Sequence, residues 1–270
     1  PDGYEIESVI IPMGAREKTW RTLCVSSQIG CKRGCTFCQT AQMGLLRNLT
    51  VDEILGQVRA ARSVFNANVR NLVFMGMGEP MDNLDEVLRA VRVLTEGPAP
   101  QLRARSITVS TSGVLPGMQR FLRESAASLA LSLNATTDAT RATLMPHDRV
   151  WPITALLDLL RADASVHPRR LSFVEYVLFA GVNDTDADAD RLVHLLAGIP
   201  ARINLIPHNP FPGSPLAAPD PTRVLAFQSR VVAQGRRCMV RWPRGQDIAA
   251  ACGQLVLAER PDGFVRSASP

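Results

Sequence analysis

Short runs rich in Val, Ile and Leu alternate along this chain with longer stretches whose apolar residues recur every three or four positions. The first pattern suits strands buried on both faces, the second amphipathic helices. Strands are expected at 23–27, 71–75, 106–110, 129–133, 173–178 and 202–206, and helices at 51–65, 84–94, 117–124, 153–160, 186–196 and 222–234. Thr50, with Glu53 three residues on, reads as a capping box at the head of the first helix. Strand then helix, repeated, implies a parallel sheet with helices outside, so the expected fold is α/β, a partial (β/α)6 barrel. The Pro-rich run 207–221 reads as a long loop after the sixth strand, and 238–242 as strand-like. The expected organisation is a lead-in segment at 1–22, the barrel at 23–236, and a C-terminal strand and flap at 237–270.

Composition refines this picture modestly. With 270 residues, 46% of them apolar, the chain can build one large domain. No apolar run approaches the ~18–20 residues that span a membrane, and no signal peptide opens the chain, so a cytoplasmic protein is expected. Net charge is +5, and all but Lys18 and Lys32 of the 30 basic residues are arginine. The arginine fork suits phosphate and nucleic acid, although a GC-rich genome supplies the same residues as solvated surface.

Cysteine placement changes the picture most. Of the six cysteines, Cys31, Cys35 and Cys38 fall in one run, CKRGCTFC, with Phe37 before the last. Thiolates at this C-x3-C-x2-C spacing can hold three irons of a cubane iron–sulfur cluster. With no fourth cysteine following nearby, one iron keeps an open position that can bind a substrate. A structural zinc site needs four ligands, usually as two C-x2-C pairs; Cys24 is available as a fourth, but its seven-residue offset is unusual. Such a metal-loading motif fits a reduced compartment. Cys238, in its strand-like run, reads as a small apolar filler. Cys252, preceded by a polar glycine-containing loop and followed by glycine, suits an exposed thiol on a flap over the barrel mouth.

Parallel barrels place their chemistry at the C-terminal ends of their strands. The expected second strand is followed by Gly76-Met77-Gly78-Glu79-Pro80, whose glycines allow close approach of backbone to a ligand and whose Glu79 suits an ammonium group. Ser110-Thr111-Ser112-Gly113 follows the third and suits a carboxylate or ribose. The fourth ends in Ser132-Leu133-Asn134, and the sixth in His208-Asn209-Pro210-Phe211. Each is an ordinary turn taken alone; beside a cluster loop, together they describe one pocket.

The cluster motif with Phe37 resembles that of radical S-adenosylmethionine (SAM) enzymes. The stretches IESVIIP, CVSSQIGC, FCQTAQMGLLRNLTVDEI, FMGMGEP, TVSTSG, LALSLNA, NLIPHNPFPGSP and WPRGQDIAAACGQL, spread from residue 5 to 255, resemble the RlmN/Cfr-type radical SAM adenosine methyltransferases, the RlmN branch more closely. The resemblance implies a [4Fe-4S] cluster on Cys31, Cys35 and Cys38, and SAM contacts from Gly78, Glu79, Ser110, Ser132, Leu133, Asn134 and Asn209. It makes Cys252 the cysteine that is itself methylated, Cys24 its partner thiol and Glu7 a proton acceptor. Asn134 stands where well-known members carry histidine, and His208 where they carry tryptophan. The family's small N-terminal RNA-binding domain has no counterpart in this stretch.

The implied chemistry explains two further cysteines. An adenine C2–H carbon is not nucleophilic, whereas a thiolate at Cys252 takes a methyl group by simple displacement. After radical addition of that methyl carbon to the ring, Cys24 attacks the Cys252 sulfur, releasing methylated base and leaving a disulfide. The implied substrate is an adenosine of 23S rRNA, with tRNA as a second. A reductant such as flavodoxin or ferredoxin and a monomeric state are also implied. Arg47, Arg241 and Arg244 flank the expected mouth, where they can hold phosphates or form ion pairs. Two alternatives stay open: Cfr-type C8 methylation, and a non-catalytic iron–sulfur protein for RNA binding or electron transfer.

Overall fold

The computed structural model describes residues 2–13, 20–97, 102–168, 170–211, 213–242 and 255. Its main sheet has eight strands, in the spatial order β1 (Val9–Met13), β2 (Trp20–Cys24), β5 (Val69–Phe74), β6 (Ile107–Thr111), β7 (Ser128–Ser132), β8 (Ser172–Leu178), β9 (Ala201–Pro207) and β10 (Cys238–Val240). All neighbours are parallel except β1, which runs antiparallel along β2 with Val9 opposite Cys24. Among the described residues β1 and β10 are the two edges of the sheet and do not pair with each other, so the sheet is a partial barrel. A separate hairpin pairs β3 (Gln28–Gly30) with β4 (Leu45–Asn48).

Eight helices follow the strand ends among the described residues: α1 (Gln39–Gln42), α2 (Val51–Ser63), α3 (Leu84–Glu96), α4 (Leu115–Glu124), α5 (Asp138–Leu144), α6 (Ile153–Val166), α7 (Asp186–Leu195) and α8 (Pro221–Ala233). The capping box at Thr50 and Glu53 heads α2, and a second, Thr185 with Asp188, heads α7. On α3 the buried residues Leu84, Val87, Leu88, Val91 and Leu94 recur at helical spacing and face the sheet.

Strand alternation divides the molecule into two environments. Leu129, Leu131 and Leu133 of the β7 region, Val174, Tyr176 and Leu178 of β8, and Ile203 and Leu205 of β9 belong to the main apolar core. The residues between them, including Ser132, Glu175, Val177 and Ile206, face a cavity instead. Cys238 is a buried member of the core, as its apolar context implies.

The first strand differs from its expected span of 23–27, since it covers Trp20–Cys24. Val25 still donates to Val73 O at 2.9 Å, after which the chain leaves the sheet. Ser26 and Ser27 stay buried because side chains replace strand partners: Gln57 bonds both the N–H and C=O of Ser26, and Asn83 Nδ2 donates to Ser27 O at 2.8 Å. Segments β1, β3, β4, α1 and α5 lie outside the expected elements: β1 carries Pro12, which breaks a strand pattern, β3, β4 and α1 have only three or four residues each, and α5 is mostly polar. Among the described residues, no helix is long and apolar enough to cross a membrane.

Candidate functional site

The loop bearing Cys31, Cys35 and Cys38 spans the gap between the hairpin strand β3 and helix α1. At its root, Gly30 has φ +75°, and a Cβ there would sit 1.8 Å from Gly44 O. Only glycine closes this hairpin, and Cys31 N–H then donates to Gly44 O at 2.9 Å. The loop is fastened from inside by Arg33. Its Nε donates to Asp82 Oδ2 at 2.8 Å, its Nη2 bonds the same carboxylate, and its Nη1 reaches Asp148 Oδ1 at 3.3 Å. Thr36 N–H donates to Leu144 O at 3.0 Å, while His147 Nδ1 contacts Lys32 O. Beneath lies fully enclosed Arg141, bonded to Ser112 O and 3.4 Å from Asp148 O. Burial pushes Asp148 up and Arg141 down from their ordinary values, and each charge partly offsets the shift of the other.

The three cysteines line one cavity of about 170 Å³ together with residues from the ends of β5 to β9. Gly78, Glu79, Ser110, Ser132, Asn134 and Asn209 are all in its wall, as is His208. Leu133 faces away, into the core, with its N–H donating to Glu175 O at 3.0 Å. Burial pushes the Cys31 thiol up to about 12 and raises Cys35 and Cys38 as well. Such thiols hold their protons until a metal displaces them. The donor set fits an iron–sulfur cluster: three soft sulfurs on one loop, facing one cavity beside apolar Phe37, Met145 and Phe179. Among the described residues no three His, Cys, Asp or Glu side chains converge on a single-ion site; cubane thiolates bind separate irons and need no such convergence.

Two sequence expectations change in detail. The glycines after β5 serve the protein's own packing: a Cβ on Gly76 would meet Ser26 Oγ at 2.7 Å, and one on Gly78, where φ is +102°, would meet Gln28 Cβ at 2.5 Å. Close backbone approach is required there, but to the 25–28 segment. Glu79 is buried, and its two oxygens accept from Met81 N at 2.9 Å and Ser112 N at 2.7 Å. It therefore ties the β5 turn to the β6 turn. Burial pushes its carboxyl up to about 6 despite those bonds.

Asn134 has φ +57°, a left-handed conformation that asparagine tolerates better than most residues. Its Oδ1 accepts from Val177 N at 2.9 Å, locking the β7 end to β8. His208 is pushed down to about 4 by burial and is neutral at pH 7. Its ring lies 5.0 Å from Phe179, which in turn lies 5.1 Å from Phe37.

The other candidates lie further out. Cys24 ends β2 and is buried, outside the cavity wall. Glu7 is exposed just before β1, and its carbonyl accepts from Ser26 Oγ at 2.8 Å. Cys252 and Arg244 lie outside the described residues. Arg47 pairs with Glu53 at 2.7 Å and Asp2 at 2.5 Å, so it serves a structural ion pair. Arg241 sits 3.7 Å from Glu175 and 3.8 Å from Met75 Sδ. Leu255 lines the cavity and its carbonyl accepts from Thr40 Oγ1 at 2.5 Å. Sequence reading passed over Arg33, Asp148 and Glu175; for Glu175 a signal existed, a charge inside the apolar strand SFVEYVL.

Residues 25–193 match the family described as the Radical SAM superfamily. A protein named Dual-specificity RNA methyltransferase RlmN from Anaeromyxobacter sp. (strain Fw109-5) is 47% identical over 277 residues, covering 100% of this chain and 72% of that protein. One of the same name from Desulfotalea psychrophila is 45% identical, covering 96% of this chain and 73% of its own. Among solved structures, a radical SAM methyltransferase from Sphaerobacter thermophilus superposes with TM-score 0.87 at 44% identity, covering 94% of this chain and 74% of that one.

Proposed function

From the premise that this chain belongs to the radical SAM superfamily and, within it, to the RlmN family of RNA methyltransferases, we propose that it methylates C2 of an adenine in 23S rRNA, and in tRNA, through a methylated cysteine. Its cofactors are a [4Fe-4S] cluster and SAM. The reading rests on one observation above all: Cys31, Cys35 and Cys38 share a single cavity with Glu79, Ser110, Ser132, Asn134 and Asn209.

Cys31, Cys35 and Cys38 hold the cluster, and the strand-end residues hold SAM. When bound, these groups supply one-electron reduction, hydrogen abstraction and the methyl group. Phe37, Phe179 and Met145 keep water from the Cys35 side. Cys252 carries the methyl group as a thioether until its carbon is joined to the adenine. Leu255, docked in the cavity wall, follows Cys252 by three residues, a span no chain stretches beyond ~11 Å. Glu7 takes the ring proton in this scheme, held near the cluster hairpin by the Ser26 hydroxyl on its carbonyl. The Cys24 thiolate then attacks the Cys252 sulfur. The sulfur–carbon bond breaks, and the released carbon takes up a proton to become the methyl of the departing adenine. The one electron left over from hydrogen abstraction would return to the cluster, and a Cys24–Cys252 disulfide remains for an external thiol to reduce.

The test is incubation of cluster-reconstituted protein with SAM, a flavodoxin- or ferredoxin-type reductant and separate rRNA and tRNA pools. Mass spectrometry of the digested nucleosides should show 2-methyladenosine. 8-Methyladenosine would move the chain to the Cfr-type reaction, and unmodified RNA in both pools would overturn the proposal.

A further inference from the structure

The cavity wall holds one carboxylate that the scheme above leaves unemployed. Glu175 stands in mid-strand on β8, its side chain only 5% exposed, and lines the cavity. One oxygen is held: Asn204 Nδ2 donates to Oε1 at 2.8 Å, and the Arg241 guanidinium lies 3.7 Å from it. The other, Oε2, is buried and finds no hydrogen-bond partner among the described residues. A carboxylate oxygen left bare in a low-dielectric wall is costly, and burial raises this carboxyl above its ordinary range. Arg241 and Asn204 offset part of that cost, but both approach Oε1 and neither donates to Oε2. The described residues therefore leave Oε2 open to a further donor, which a bound ligand can supply.

The register narrows the donor. Ser132, Glu175 and Asn204 lie side by side on β7, β8 and β9, and Ser132 lines the same cavity. A hydroxyl and an acceptor-only carboxylate on adjacent strands match a sugar hydroxyl better than a carboxylate or phosphate, which Glu175 repels. The negative charge also favours a cationic sulfonium ligand over a polyanionic RNA. We propose that Glu175 is a binding residue for the adenosyl group of SAM, its Oε2 accepting a hydrogen bond from a ribose hydroxyl while Asn204 and Arg241 hold Oε1 in place. The assignment rests on the reading that this cavity is the SAM site.

Calorimetric titration with S-adenosylhomocysteine, in the absence of reductant, reads binding without turnover. Wild-type protein, Glu175→Gln and Glu175→Ala are compared, each with S-adenosylhomocysteine and with its 2′-deoxy and 3′-deoxy analogues. Glu175→Ala should bind the parent compound about ten- to a hundredfold more weakly, the range for a hydrogen bond to a charged group. Wild type should lose a similar factor on one deoxy analogue, and Glu175→Ala should no longer distinguish that analogue from the parent. Ligand-free Glu175→Gln should melt no lower than wild type, since it removes a buried charge lacking a full set of partners. A synthetic stem–loop RNA should bind all three proteins alike. Unchanged affinity and discrimination in Glu175→Ala would overturn the assignment, as would a loss confined to RNA binding or a large drop in ligand-free melting temperature. Wild-type protein that binds no S-adenosylhomocysteine would overturn the reading of the cavity as well.

Discussion

Single residues near the cavity carry opposing demands of space and charge. Gly78 combines φ +102° with a Cβ position 2.5 Å from Gln28 Cβ, whereas Gly56, inside α2, has nothing within 4 Å. Gly78→Ala should therefore cost about 2–4 kcal/mol, from overpacking and left-handed strain together. Gly56→Ala should instead gain about 0.5–1 kcal/mol from helix propensity. Urea unfolding of both variants checks the contrast; equal effects would mean that crowding at Gly78 is not what demands glycine. Glu79 sets a pH dependence in the cluster-free protein. Its carboxyl stands at about 6 when folded against the ordinary 4.5, so between those values the folded state keeps a proton that the unfolded chain has released. Stability should fall as pH rises from 4.5 to 6, by ~2 kcal/mol from this group, and then level off. Glu79→Gln should remove that slope from urea midpoints measured across the window. At this scale the cysteines and strand-end polar residues were legible because their chemistry is written in their type and spacing. Arg33 was not: an arginine inside a cysteine loop looks the same in sequence whether it points at solvent or at two buried carboxylates.

Whole elements near the cluster loop depend on that arginine. Arg33 joins the loop to the turn before α3 through Asp82 and to the turn before α6 through Asp148, with its side chain 9% exposed. Asp82→Ala removes the nearer of the two carboxylates and leaves Arg33 with Asp148 alone, so it should cost about 3 kcal/mol, the low end for breaking a buried pair. It should also speed iron loss from the reconstituted protein during dialysis against a chelator. Retention equal to wild type would show that the loop holds its shape without the Arg33–Asp82 pair. The six expected parallel strands are present as β2 and β5 to β9, because strands covered on both faces are rich in Val, Ile and Leu and stand out even where single polar residues face the cavity. The hairpin of β3 and β4 was hidden for the opposite reason. Its stability comes from side-chain bonds such as Gln28 Nε2 to Asn48 Oδ1 at 2.7 Å, and these depend on three-dimensional pairing that no local pattern reports.

Across the whole molecule, the proposed chemistry joins cysteines near the two ends of the sequence. If Cys252 accepts the methyl group and Cys24 releases the product, the two variants should fail at different stages. Cys252→Ala should form neither methylated protein nor modified RNA, while Cys24→Ala should accumulate a covalent protein–RNA adduct, seen as a nuclease-sensitive gel shift. Normal RNA methylation by Cys252→Ala would falsify the mechanism. A related long-range closure is visible at Leu255, which packs into the core and accepts from Thr40, a contact spanning 215 residues of sequence. On a ribosome adding 5–20 residues each second, Cys38 is made roughly 10–45 s before Leu255. For that interval the nascent chain offers its three thiols with one side of their chamber missing.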